Sequence, residues 1–148
     1  MANYIDEFGV EFSEDRKTLI KCPANLGGGY IIPQGIEIIG YQAFAYSKVT
    51  HITVCNSVKK IDGHAFSGCA ELTSISLPES IEEIGPYAFS GCNRVIVVTI
   101  ESRRITRIGE DLFIGCDALR RMYVPKGERE RLLQIGLASY SNMIIESN

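Results

Sequence analysis

The chain has 148 residues, five cysteines and a formal net charge of −3 at neutral pH. That length suits one domain with a continuous core, and the acidic balance argues against a nucleic-acid partner, which needs a basic face. No apolar run reaches the roughly 18 residues that a membrane-spanning helix requires. The opening stretch, MANYIDEFGV, is acidic and has no apolar export core. As written, the chain reads as cytoplasmic, or as a surface or secreted protein from which a signal has been removed.

Residues 1–29 are predicted to form an N-terminal cap. Gly9–Phe12 and Lys17–Cys22 flank the polar stretch Ser13–Arg16, the pattern of a hairpin. Asn25–Tyr30, with three successive glycines, is expected to be a loop. It is no phosphate cradle, because no Gly-Lys-Ser/Thr follows it. Residues 30–125 then repeat. Tyr30–Pro33 is the first strand and Ile36–Ser47 completes its coil; later coils begin at Val49, Leu72 and Val95, and Leu119–Pro125 starts one that does not finish. Residues 126–148 form a C-terminal cap. Glu128–Leu137 is rich in helix formers, Ser139–Asn142 is a turn and Met143–Glu146 is a closing strand.

The repeat is anchored by Ala43-Phe44, Ala65-Phe66, Ala88-Phe89 and Leu112-Phe113, whose phenylalanines lie 22, 23 and 24 residues apart. Gly-Cys pairs follow at Gly68-Cys69, Gly91-Cys92 and Gly115-Cys116, with Tyr46-Ser47 in the first copy. An alternating pair recurs at Ile52/Val54, Ile75/Leu77, Val98/Ile100 and Met122/Val124. A fixed period of about 20–29 residues with leucine-like positions marks a leucine-rich-repeat solenoid, a β-rich fold in which each unit hides its apolar side only by stacking on neighbours. Parallel strands are expected on the concave side, with short extended pieces and helical turns on the convex side. The extended pieces Ile36–Ile39, Val58–Ile61, Ile81–Ile84 and Ile105–Ile108 bring charges into columns, Glu37–Lys59–Glu82 and Lys60–Glu83–Arg107, whose signs alternate between coils. Gly40, Asp62, Gly85 and Gly109 share the next slot, where a positive φ is expected because both residue types tolerate it. The repeated Phe and Cys are expected to face inward.

On these motifs the chain resembles the BspA-like leucine-rich-repeat family, whose unit runs L-x-x-I-x-L-P-x-S-V-x-x-I-G-x-x-A-F-x-G-C. Leu72–Cys92 matches nearly every slot, and the likeness covers about Ile31 to Pro125. Three features depart from it: Cys55 in place of the strand-end proline, Val97 where a polar residue is common, and an extra residue within Glu101–Arg104. The resemblance implies surface or secreted bacterial proteins with adhesive or protein-binding roles. A protein partner, no cofactor and no enzymatic activity are what it suggests here, with a structural or adhesin-type element lacking a dedicated site as the alternative.

Cys69, Cys92 and Cys116 recur with the coil, so their spacing reflects stacking. Parallel side chains make poor disulfides even at bridging distance, and buried thiols behave as small hydrophobes. Cys22 and Cys55 lie outside this column, and Cys55 is the better candidate for a reactive thiol. His51 and Ser74 occupy equivalent strand positions in adjacent coils, which raises a remote hydrolase reading. No acid in the adjoining columns would orient the imidazole and no oxyanion hole is in sight. His64 is expected to be solvated, and two isolated histidines make no metal site. By register the concave face presents Ile31, His51, Thr53, Ser74, Ser76, Val97, Thr99, Arg121 and Tyr123. Tyr and Arg are common binding anchors, so this face is the predicted partner surface. An exposed sheet edge or incomplete cap makes self-association a further expectation.

Overall fold

A computed structural model of the chain describes residues 2–148. Two layers of strands run through it. Strands β1 (Tyr4–Ile5), β2 (Glu11–Phe12) and β3 (Thr18–Lys21) form the N-terminal meander. Then β4 (Gly27–Ile31), β6 (Lys48–Thr53), β8 (Ser74–Leu77), β10 (Val97–Ile100) and β12 (Arg121–Val124) alternate with the two-residue strands β5 (Ile38–Ile39), β7 (Lys60–Ile61), β9 (Glu83–Ile84) and β11 (Arg107–Ile108). A short helix, α1 (Arg129–Leu132), runs through wider and tighter helical turns to Met143, and β13 (Ile144–Glu146) ends the fold. The expected turn at Ser139–Asn142 is thus helical, and Gly136 breaks the run with an extended backbone (φ 160°).

The short strands make one seven-stranded sheet in the order β1-β2-β3-β5-β7-β9-β11. Its first pairings, β1 with β2 and β2 with β3, are antiparallel, as the hairpin pattern predicts; from β3 onward the pairings are parallel. The other layer is parallel throughout but comes in two pieces, β4-β6 and β8-β10-β12-β13. A single continuous concave sheet was expected, and β6 and β8 do not hydrogen-bond. The cause lies in β6. Gly28 pairs with Val49 and Gly29 with His51, so Thr50 is a bulged extra residue, and a bulge bends its strand and adds local twist. Ile52 and Val54 are left half-buried, whereas Ile75, Leu77, Val98, Ile100, Met122 and Val124 are buried. The glycine stretch expected as a loop is also strand, since β4 begins at Gly27.

Stacking puts the phenylalanines in one column, as expected. Phe44, Phe66, Phe89 and Phe113 lie face to face at 5.0, 5.2 and 5.7 Å. Tyr30 precedes the column at 6.0 Å, its hydroxyl donating to Asp6 Oδ2 at 2.7 Å. Tyr140 closes it edge-on at 5.4 Å, its hydroxyl accepting the Phe113 N–H at 3.0 Å. Beside the rings, the thiols of Cys69, Cys92 and Cys116 donate to the carbonyls of Phe44, Phe66 and Phe89 at 3.1, 3.1 and 3.0 Å. All three cysteines are free and buried. The thiols of Cys116 and Cys69 on either side, together with burial, hold the Cys92 pKa above its ordinary value. A serine column does the same work on the other flank: Ser57, Ser80 and Ser102 donate to Ile36 O, Val58 O and Ile81 O at 2.6, 2.6 and 2.5 Å. Burying a hydroxyl without a partner is costly, and among the described residues every buried side-chain polar atom is satisfied.

The expected positive φ at the turn slot fails. The slot of Gly40, Asp62, Gly85 and Gly109 does not adopt positive φ; the left-handed residues come two later, at Gln42, His64, Tyr87 and Asp111. Asp62 shows that the slot itself tolerates a side chain, but at Gly85 and Gly109 the neighbouring coil leaves no room for one. A Cβ on Gly85 would stand 2.4 Å from Gly63 N, and one on Gly109 2.2 Å from Pro86 N. The charge columns hold in register: Lys60 and Glu83 are partners, as are Glu83 and Arg107. Among the described residues Arg107–Glu83 closes at 3.6 Å, while Lys60 turns to Asp62 at 3.3 Å.

Candidate binding surface

On each long strand alternate side chains leave the core, and the residues assigned to the concave face do point outward. His51, Thr53, Ser74, Ser76 and Arg121 are exposed, and Val97, Thr99 and Tyr123 are half-buried. The register aligns Ser74 with Val97 and Arg121, and Ser76 with Thr99 and Tyr123. His51 and Thr53 stand apart on the β4-β6 piece, across the break. The break also separates His51 from Ser74. His51 Nδ1 instead shares a hydrogen bond with Thr50 Oγ1 at 3.0 Å, and no hydrogen bond joins His51 to Ser74 among the described residues. His64 is not solvated as expected. Its ring stacks on Tyr87 at 5.0 Å, and Nδ1 lies 3.0 Å from Ser67 Oγ.

Arg121 and Tyr123 gain neighbours that sequence reasoning missed. β13 joins β12 in parallel with Tyr123 opposite Ile145, so Ile145 shares the face of Tyr123 and is 43% exposed. Ile96, one residue before β10, is 55% exposed. Ile96, Val97, Arg120, Arg121 and Tyr123 line a shallow groove of about 390 Å³. The Arg120 guanidinium is tied to Asp117 O and Leu119 O at 3.1 and 3.3 Å; Arg121 makes no ion pair among the described residues. The arrangement offers one free guanidinium in an apolar setting beside an aromatic ring. The signal for Ile145 was the closing strand itself, whose pairing with β12 could not be read before its register was known. Cys55 is half-buried, with Sγ 3.3 Å from Pro33 O and 3.0 Å from Ser57 Oγ.

The model of the BspA type leucine rich repeat region matches residues 29–147, in six copies. The chain belongs to the BspA-type leucine-rich-repeat family. The matched region runs from within β4 to past β13 and so takes in the long-strand layer. Among solved structures, a leucine-rich repeat protein from Eubacterium ventriosum ATCC 27560 superimposes with a TM-score of 0.73 at 21% identity, covering 84% of this chain and 34% of that one. The pneumococcal vaccine antigen PcpA gives 0.67 at 23% identity, covering 99% and 48%. A leucine rich cell surface protein from Faecalibacterium prausnitzii A2-165 gives 0.58 at 26% identity, covering 89% and 41%. This BspA-type chain therefore spans about a third to a half of their lengths. No curated protein matches it. No helix of the described residues is long and apolar enough to cross a membrane.

Proposed function

We propose that this BspA-type chain is a protein-binding module without enzymatic activity, and that it captures its partner on the outward face of β8-β10-β12-β13. Repeats of this family generally mediate protein binding. Arg121 and Tyr123 are the anchors; Val97, Thr99, Ser74 and Ser76 flank them, with His51 and Thr53 as a rim beyond the break. The observation that carries this reading is the free Arg121 guanidinium beside Tyr123 in a groove edged by Ile96 and Val97, since Tyr and Arg are enriched among the few residues that carry most binding energy once a partner buries them. The Faecalibacterium relative, a leucine rich cell surface protein, supports display outside the cell, where an adhesive role would place the partner in the surroundings.

The test is a comparison of wild type with an Arg121→Ala/Tyr123→Ala variant as bait for proteins of the extracellular milieu. Partner recovery falls at least tenfold in the variant while its melting temperature holds. A control, Ile114→Ser on the turn side, captures normally. Undiminished recovery by the double variant overturns the assignment of this face.

A further inference from the structure

The N-terminal meander caps only half of the first coil. It adds β1, β2 and β3 beyond β5, so the short-strand sheet continues past coil one, whereas the long-strand layer stops at β4. Above β4 lies a notch of about 360 Å³, walled by Tyr4, Phe8, Phe12 and Arg16 and floored by Tyr30 and Ile31. In a parallel ladder, alternate residues bond alternate neighbours. Ile32 N–H bonds Thr53 O at 3.0 Å, and Tyr30, two residues earlier, also faces β6. Gly29 and Ile31 therefore turn their N–H and C=O groups away from β6, to the side where no strand meets them, and of the two Ile31 lines the notch. Two further observations bear on this edge. Gly27, Gly28 and Gly29 leave the backbone bare, and a Cβ on Gly28 would meet nothing within 4 Å. Large apolar side chains crowd it while remaining open to solvent, with Ile31 72% and Phe8 54% exposed.

We propose that the notch is a second binding site, which takes an extended peptide segment of a partner as an added strand on the Gly29–Ile31 edge. An unpaired edge is a template for another strand, with main-chain hydrogen bonds giving affinity and side-chain pockets giving selectivity. Charge complementarity defines the occupant. The Asp6 carboxylate receives the N–H groups of Phe8 and Val10 and the Tyr30 hydroxyl, and Glu7 is exposed; neither forms an ion pair among the described residues. Arg16 lies 4.0 Å over the Tyr4 ring. The segment thus carries a large apolar side chain for the aromatic wall and a Lys or Arg toward Asp6 and Glu7. Pro33 bounds the site, since it has no N–H to donate.

The experiment selects linear random peptides from a displayed library on the whole chain, then measures the enriched peptides on variants. Ile31→Pro deletes an N–H that points into the notch and leaves the β4–β6 ladder intact. Expected are apolar-basic sequences whose affinity drops at least tenfold on Ile31→Pro, drops on Glu7→Lys, and is unchanged on Arg121→Ala. The Ile31 amide in wild type gains hydrogen-exchange protection on binding. If Ile31→Pro fails to melt cooperatively, backbone N-methylation of the peptide replaces it, and methylation at one alternating set of amides abolishes binding while the other set does not. The proposal is overturned if nothing enriches above an unrelated bait, if affinity survives both Ile31→Pro and N-methylation, or if Arg121→Ala is what removes it. It is also overturned if wild type self-associates through this edge and Ile31→Pro returns it to monomer, since the occupant would then be a second copy.

Discussion

Replacing Phe66 by alanine tests whether the ring column is one packed core. Phe66 is 1% exposed and lies between Phe44 and Phe89, at 5.0 and 5.2 Å with interplanar angles of 6° and 7°. Truncating a buried phenylalanine costs about 3–5 kcal/mol. Losing two stacked neighbours, each contributing about 0.5–1.5 kcal/mol beyond area burial, puts this position at the upper end, about 5 kcal/mol. Domains of this size have about 5–15 kcal/mol in total. The variant is therefore expected to unfold at much lower urea, and to do so less cooperatively, because each coil leans only on its neighbours and the hole falls mid-stack. Urea titration followed by circular dichroism at two wavelengths reads both effects. Phe113→Ala should cost less, since Phe113 stacks on one phenylalanine and meets Tyr140 edge-on. A loss below about 2 kcal/mol at Phe66, with an unchanged denaturant slope, would refute a cooperative column.

Glycine roles separate by substitution. Gly91→Ala carries only left-handed strain, with φ 71° and no atom nearer than 3.6 Å to a new Cβ, so about 1–2 kcal/mol is expected. Gly91→Asn should recover part of it, whereas Gly109→Ala and Gly109→Asn both drive into the Pro86 backbone and should lose about 3 kcal/mol or more; equal losses at the two sites in thermal melts would contradict this. Burial first, then neighbouring Cys69, pushes the Cys22 pKa from 9.0 up to about 12. Its raised folded value means that the unfolded chain releases the proton first, so stability is full below pH 9 and falls as pH rises from 9 toward 12. Cys22→Ala should flatten that fall in denaturation curves measured across the window. A thiol reagent under native conditions should label Cys55 before the buried Cys22, Cys69, Cys92 and Cys116, with mass spectrometry of digested fragments giving the order.

Much of the fold was legible because a solenoid repeats its physics. One Ala-Phe pair says little, but pairs recurring every two dozen residues force those rings into the same place in successive coils. The inward direction of the cysteines and the outward set from His51 to Tyr123 followed from that period and from strand alternation. What stayed hidden depends on contacts between coils. Gly85 and Gly109 look like turn glycines, yet the neighbouring backbone at 2.4 and 2.2 Å is what excludes a side chain. The Thr50 bulge is invisible too, because its extra residue exists only relative to the glycine strand beside it.

That bulge bears on the proposed binding face more than any single exposed residue does. An unbroken sheet would make His51 and Thr53 part of the same surface as Arg121 and Tyr123. With β6 and β8 unbonded, the four-stranded piece ending at β13 is the continuous platform, and the β4–β6 pair lies outside it. A partner held rigidly across both pieces would have to fix their relative twist, whereas one seated on Ile96, Arg121 and Tyr123 would not. Substitution at His51 should therefore leave binding on the platform within about twofold, and a larger effect would mean that the break closes on binding.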